Sequence, residues 1–269
     1  MEALSTEDIV PYGYRTEGPI ALKNQKTIVE NRSRHSWPQL IAQLDSDGQN
    51  YAHKVGPVIS HQFFDGHKVL DNFAQASFVA IDIDDLPLNT SPEMFQEAIH
   101  SLHLQFDYYL YSTHTDGIDK SKLRWIIPTD VPITSTEDYT RVARAFLYGT
   151  DYEYHSSYYS NNGALGMIAD ELGLDRILAD KASWTASQAM YTPRRKNPKS
   201  IREPFRYAVN KGGRLPAKEL LDARLKREEV VARQRNNSIV YLPEATEYNS
   251  DTLLSLIESY VLDPKKDLY

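Results

Sequence analysis

The stretch from Phe78 to Asp85, FVAIDIDD, is the feature that most constrains the fold of this chain. Its short apolar run, rich in β-branched and aromatic residues, is typical of a buried strand. Because alternate residues of a strand share a face, Asp82 and Asp84 are expected to project together at the end of that strand. Two carboxylates held so close repel each other unless a cation lies between them, and oxygen ligands favour magnesium or manganese.

The composition excludes several classes of protein. The 269 residues include no cysteine, which rules out a disulfide framework, a cysteine zinc site and a thiol nucleophile, and favours a reducing cytoplasm as the location. The N-terminus lacks the pattern of a signal peptide and no apolar run is long enough to span a bilayer, so no membrane partner is expected. A net charge of −7 argues against a uniformly basic coat for nucleic acid but is compatible with a local basic groove.

Two further strands are expected beside the first. An apolar and aromatic run, YYLYST, includes Ser112 and leads directly into His114. After a polar loop, the run KLRWIIP returns as a strand and presents Lys122 and Arg124 on one face. The expected strands therefore bring a histidine and two cations toward the region of the paired carboxylates.

Helices and a third carboxylate motif complete the pattern. The segment after the first strand opens a helix at the cap residue Ser91, and another helix is expected to begin near Ser135 or Thr136. Much later, the apolar run ILA ends at Asp180. Asp175 lies nearby and is the alternative third carboxylate, although it falls inside or just after a predicted helix. Strands and helices thus alternate, which indicates a mixed α and β architecture.

From residue 194 onward the composition changes. Residues 194–214 contain eight arginines and lysines but a single acid, which predicts contact with a nucleic-acid backbone. Phe205 and Tyr207 are candidates to stack on bases beside this basic stretch. Gly212 and Gly213 then suggest a hinge. We therefore expect a catalytic domain over residues 1–208 and a charged linker with a helical tail over residues 209–269.

The three motifs, taken in chain order, resemble those of the archaeo-eukaryotic primase superfamily. They are the strand ending at Asp82 and Asp84, the small-x-His motif at Ser112 and His114, and the apolar run ending at Asp180. The resemblance covers roughly residues 50–200 and is strongest to the primase-polymerases of phages, plasmids and other mobile elements. It implies an α+β fold in which a small α/β subdomain packs with a sheet like that of an RNA-recognition motif, with the active site in the cleft between them.

The resemblance implies a DNA primase or polymerase that makes primers from nucleoside triphosphates on single-stranded DNA. Nucleotidyl transfer of this kind uses two magnesium or manganese ions about 4 Å apart. The implied metal ligands are three carboxylates: Asp82, Asp84 and Asp180. The implied triphosphate contacts are polar or basic side chains: Ser112, His114, Lys122 and Arg124. The expected partners are a DNA template, a primer and a replicative helicase, the last on this chain or on another.

Two other functions compete with this interpretation. A magnesium phosphatase of the haloacid dehalogenase superfamily would use Asp82 as its nucleophile and Ser112 or Thr113 at the end of a second strand, but its later pair of acids has only a poor match in this chain. A non-catalytic DNA-binding module for replication would use the basic stretch alone. In that case the carboxylates would be structural, and Asp82→Ala would leave DNA binding intact.

Overall fold

A computed structural model describes the greater part of the chain. The described residues are 10–14, 30–50, 58–63, 70–104, 106–152 and 163–238, with backbone alone at 10–14, 30–35, 62–63 and 235–238. The chain divides into two compact units, residues 1–227 and residues 228–269. Within the second unit, residues 228–238 are described and are helical.

The described residues form nine strands and five α-helices. The strands are β1 (Val10–Tyr14), β2 (Glu30–His35), β3 (Val58–Ile59), β4 (Gln62–Phe63), β5 (Phe73–Leu86), β6 (Tyr108–Ser112), β7 (Ser121–Ile133), β8 (Met190–Tyr191) and β9 (Arg206–Val209). The helices are α1 (Trp37–Asn50), α2 (Pro92–Ser101), α3 (Thr136–Tyr148), α4 (Ala164–Glu171) and α5 (Ala217–Ser238). A short 3₁₀ turn covers Lys181–Trp184, and it is called the 181–184 turn below.

The strands lie in two antiparallel sheets. One has the order β4-β5-β7-β6-β9, and the other has the order β2-β1-β3-β8. Because β7 pairs antiparallel with both β5 and β6, those two strands run in the same direction and end at the same edge of the sheet. The paired aspartates of β5 and the end of β6 at Ser112 are therefore neighbours at that edge. The predicted α+β class is confirmed.

Both faces of the five-stranded sheet are buried. Along β5, Val79 and Ile81 pack into a core that includes residues of α2, α3 and α4, whereas Phe78 and Ala80 pack into a second core against α1, β3 and β8. Two buried faces explain why the sequence of β5 is continuously apolar rather than alternating. The side chain of Asp82 follows Phe78 and Ala80 on the second face, so the cleft lies on the side of the sheet that faces β8.

The two predicted caps are confirmed. The Ser91 hydroxyl accepts the Met94 backbone N–H at 3.2 Å at the start of α2, and the Ser135 hydroxyl accepts the Asp138 N–H at 3.0 Å at the start of α3. One detail of the first motif was wrong. Strand β5 continues to Leu86, with an irregular register after residue 83, so the two aspartates lie within the strand rather than at its end.

The segment predicted as a hinge is held against the sheet. The buried Asp107 carboxylate accepts backbone N–H groups of Lys211 and Gly212, and Leu215 forms an isolated bridge with Thr129. Helix α5 begins directly after this segment, within the predicted charged linker. The boundary at residue 208 remains a prediction, and residues 239–269 of the predicted linker and tail lie outside the described residues. No helix among the residues described is long and apolar enough to cross a membrane.

Candidate active site

A cleft of about 260 Å³ opens beside Asp82 and Asp84 of β5 and the end of β6. It is lined by residues of β5, β6, β7 and β8 and of the segments that follow β6 and β8: Asp82, Asp84, Tyr111, Ser112, Thr113, His114, Thr115, Arg124, Tyr191, Thr192 and Arg194. Five of the seven predicted site residues are in this lining. The other two, Lys122 and Asp180, are not part of it, but each affects the electrostatics of Asp84.

Asp82 and Arg124 form a largely buried ion pair inside the cleft. The two residues are register partners on β5 and β7, and one guanidinium nitrogen of Arg124 donates to Asp82 Oδ2. The other terminal nitrogen donates to the Tyr191 carbonyl at 2.8 Å. Burial acts to lower the pKa of Arg124, but the Asp82 carboxylate and Tyr111 outweigh it and raise that pKa overall. Arg124 therefore stays cationic and ties the sheet to β8.

Asp180 is placed next to Asp82 by its backbone. Its N–H donates to the Asp82 carbonyl at 2.7 Å, although the two motifs are far apart in sequence. The Asp180 side chain caps the 181–184 turn, since its Oδ1 accepts the Ala182 N–H at 2.7 Å. The structure thus places the third predicted carboxylate motif beside the first and leaves one oxygen of Asp180 outside the cap.

The environment of Asp84 shows that the charged groups converge. Burial raises the pKa of Asp84, and the negative charges of Asp82 and Asp180 raise it further. The cations Lys122 and Arg124 oppose this by lowering the same pKa. A carboxyl group whose pKa is raised by two neighbouring charges and lowered by two others is typical of functional sites.

The oxygen donors fit a hard divalent cation, although the ligands are not gathered into a finished site. Asp82 Oδ1 is buried and has no hydrogen-bond partner among the described residues, and a metal ion would satisfy such an oxygen. No group of three His, Cys, Asp or Glu side chains within the described ranges is close enough to hold a metal as it stands. Arg124 occupies Asp82 Oδ2, and the cap occupies Asp180 Oδ1.

His114 and Ser112 have different environments at the end of β6. Burial lowers the pKa of His114, and Arg194 adds to this, while a hydrogen bond to the Arg195 backbone acts in the opposite direction. The side chain of Asn197 donates to the His114 carbonyl at 3.0 Å. The Ser112 hydroxyl accepts the Phe205 N–H at 2.9 Å, so it joins β6 to the start of β9. A triphosphate contact for Ser112 stays a prediction.

The basic stretch does not form one continuous exposed track, which corrects the sequence interpretation. Arg202 bonds to Asp116 and Ser121, Arg206 to two carbonyls of α1, and Arg214 to Asp107. Phe205 and Tyr207 pack against the larger core. These five side chains make contacts inside the fold and hold residues 202–214 in place. Four cations of the stretch are exposed: Arg195, Lys196, Lys199 and Lys211.

Sequence reasoning missed Arg194 as a site residue. Its side chain is only 4% exposed and lies in the cleft, donating to the Thr192 carbonyl at 2.7 Å and to the Thr192 hydroxyl at 2.6 Å. Its guanidinium lies 5.1 Å from the centre of the Tyr191 ring. The only signal was its place shortly after the third motif, and the count of neighbouring basic residues obscured it.

Known proteins resemble the chain in two comparisons. Residues 39–162 match the family of the VapE N-terminal domain, a range that includes Asp82, Asp84 and His114 but ends before Asp180. The AEP domain (PP-N190) of the cyanophage S-2L primase-polymerase is 13% identical, with a TM-score of 0.37 over 80% of this chain and 90% of that one. No curated protein matches the chain.

The family match is a second line of support for the predicted family, besides the order of the three motifs. It covers the strands that carry the first two motifs, and the third motif is bonded to the first in the structure. The resemblance recognised from the sequence, to the phage-type archaeo-eukaryotic primase superfamily, is therefore supported.

Proposed function

We propose that this protein is a nucleotidyltransferase that synthesises primers on single-stranded DNA from nucleoside triphosphates. The observation that supports this most is one cleft that contains Asp82, Asp84 and His114 together with two guanidinium groups, that of Arg124, largely buried, and that of Arg194, buried. Both types of side chain have a role in nucleotidyl transfer. Carboxylates hold metal ions, and cationic side chains neutralise the phosphates of an incoming nucleotide.

The metal ligands in this proposal are Asp82, Asp84 and the uncapped oxygen of Asp180. Two magnesium or manganese ions would activate the attacking 3′ oxygen and stabilise the departing pyrophosphate. The chain's own residues prepare the site. Arg124 holds the Asp82 carboxylate in place, and the lowered pKa of His114 leaves its ring neutral near pH 7, able to donate one N–H to a phosphate oxygen. Lys122 adds positive charge near Asp84.

Two observations favour this reaction over a phosphatase. The guanidinium of Arg124 covers one oxygen of Asp82, whereas a carboxylate nucleophile needs an oxygen directed at the substrate. The Ser112 hydroxyl is engaged with the Phe205 N–H rather than directed at a phosphate. A purely structural role for the carboxylates is disfavoured by the burial of like charges close together, which costs stability.

Incorporation of labelled nucleotides on single-stranded DNA tests the proposal. The unaltered protein is compared with Asp82→Asn and Asp84→Asn, in magnesium and then in manganese, with and without a primer. Asp119→Asn is a matched control because Asp119 is exposed in the loop between β6 and β7. Metal-dependent products that vanish in the two cleft variants and persist in the control are expected, and products without a primer identify a primase.

Other outcomes would favour the competing functions. If the unaltered protein makes no product but binds DNA as well as the cleft variants do, the binding-module interpretation replaces this one. If it releases phosphate from small phosphoesters instead, the phosphatase interpretation does. The DNA template, the primer and a helicase partner are all part of the proposal.

A further inference from the structure

Among the residues that the structure describes, no strand pairs with the edge of β5 at Asp82 on the side away from β7. Strand β4 pairs only with the beginning of β5, between Phe73 and Gln75. At Asp82 the backbone N–H and carbonyl bond outward to Ser183 and Asp180 rather than to β7. Asp82 and Arg124 are therefore a non-hydrogen-bonded register pair, the kind in which opposite side chains come closest. This explains how the ion pair forms directly across the two strands.

Ser183 takes the place that a neighbouring strand would occupy. It is 0% exposed, and its hydroxyl accepts the Asp82 N–H at 2.9 Å. Its own N–H donates to the Asp180 carbonyl at 2.9 Å, and its carbonyl accepts the Tyr139 hydroxyl at 3.1 Å. The 181–184 turn is thus fixed on one side to α3 and on the other to the first carboxylate motif.

We propose that Ser183 is a positioning residue for the metal site, an inference that rests on the proposed function. The turn is joined to Asp82 at two points, through the Asp180 N–H and through the Ser183 hydroxyl. The two bonds together set the position of the Asp180 carboxylate relative to those of Asp82 and Asp84. Without the Ser183 bond, the turn keeps its bonds to α3 but only one bond to Asp82, so the Asp180 carboxylate is placed less precisely. Ser183 is not a ligand in this proposal, and it acts by setting how well the three carboxylates share a cation.

The test compares Ser183→Ala with Thr140→Val. The Thr140 hydroxyl donates to the Trp184 carbonyl at 3.0 Å, so this control removes a bond to the same turn without touching Asp82. Binding of Mn²⁺ is followed by electron paramagnetic resonance with a non-hydrolysable nucleotide present, and thermal unfolding is measured in parallel. We expect Ser183→Ala to weaken Mn²⁺ binding about 10-fold, as loss of an outer-shell partner does. Thr140→Val should leave Mn²⁺ binding unchanged.

Two results would overturn the inference. One is a Ser183→Ala protein that melts earlier but binds Mn²⁺ as the unaltered protein does, and the other is an equal loss of Mn²⁺ binding in both variants. Asp82→Asn separates this failure from failure of the proposed function. If Asp82→Asn loses Mn²⁺ and Ser183→Ala does not, only the role of Ser183 is wrong. If Asp82→Asn retains Mn²⁺, the metal site itself is wrong.

Discussion

Arg124 lies directly across from Asp82, and its guanidinium joins the Asp82 carboxylate to the Tyr191 carbonyl. The two charged side chains are 12% and 13% exposed, so the pair is largely removed from water. A buried pair is expensive to break, because the partner that remains is left charged and desolvated. Arg124 thus links three parts of the cleft: the first carboxylate motif, β7 and β8.

We expect Arg124→Gln to lower the free energy of unfolding by about 3 kcal/mol, since it leaves Asp82 without its counter-charge. Asp82→Asn made in the Arg124→Gln background should recover part of that loss, because the isolated charge is then gone. Urea denaturation of the single and double variants measures both effects. Lys120→Gln is the control, since its pair with Asp85 is exposed and should cost less than about 1 kcal/mol. Equal losses for Arg124→Gln and Lys120→Gln would contradict the prediction.

The buried His61 predicts a loss of stability in acid. Its ring is 3% exposed among Phe78 and Tyr139, and burial lowers its pKa from 6.5 to about 3. The unfolded chain therefore takes up a proton between those two values and the folded chain does not. The contribution of His61 to the free energy of unfolding is fully present above the pKa that the histidine has in the unfolded chain. It is lost as the pH drops toward the pKa in the folded protein, by up to about 1.4 kcal/mol per pH unit.

Substitution by an apolar residue isolates this contribution. His61→Leu removes the titrating group from both states, so its stability should fall less steeply with acid than that of the unaltered protein. Urea denaturation at several pH values from neutrality down to about pH 4 gives both curves, whose difference reports the histidine alone. If the two curves stay parallel over this range, the ring is protonated in the folded protein and the assignment fails.

Asn197 is expected to affect nucleotide binding through His114. Its side chain holds the His114 carbonyl, and the neighbouring Arg195 backbone bonds to the His114 ring. Under the proposed function, Asn197→Ala should raise the KM for nucleotide about 10-fold with little change in kcat, because it loosens a binding group and leaves the carboxylates alone. Asn210→Ala is a control on an exposed asparagine. Steady-state incorporation kinetics distinguish the two, and an unchanged KM for Asn197→Ala would refute the role.

The first motif could be predicted from sequence because its signal is local. An apolar run fixes the strand, and a period of two places Asp82 and Asp84 on one face. The partner of Asp82 could not be predicted, because it depends on the register between β5 and β7, which is not a local property. The bonds from Ser183 and Asp180 to Asp82 depend in the same way on a contact between segments distant in sequence.

The basic stretch shows what a count of charges in the sequence missed. Counting charges treated its arginines and lysines as equivalent, but their environments differ. Arg194 is buried in the cleft and Arg206 bonds to carbonyls of α1, whereas Lys199 is exposed. Arginine is favoured for buried multidentate contacts because its planar guanidinium offers several donors in fixed directions, and lysine more often remains in solvent. The distinction between arginine and lysine therefore indicates which cations are buried, and a count of charges does not make that distinction.

The salt dependence of DNA binding tests this division of the basic stretch. Lys199→Gln should weaken binding to single-stranded DNA and reduce the slope of log K against log salt by about 0.7, the value for loss of one phosphate contact. Arg206→Gln should leave that slope unchanged and lower the free energy of unfolding instead, because its guanidinium bonds to the carbonyls of Asp45 and Gly48. Fluorescence anisotropy at several salt concentrations measures the slope, and urea denaturation measures the stability. A change of slope in Arg206→Gln would show that this arginine leaves α1 to contact the strand.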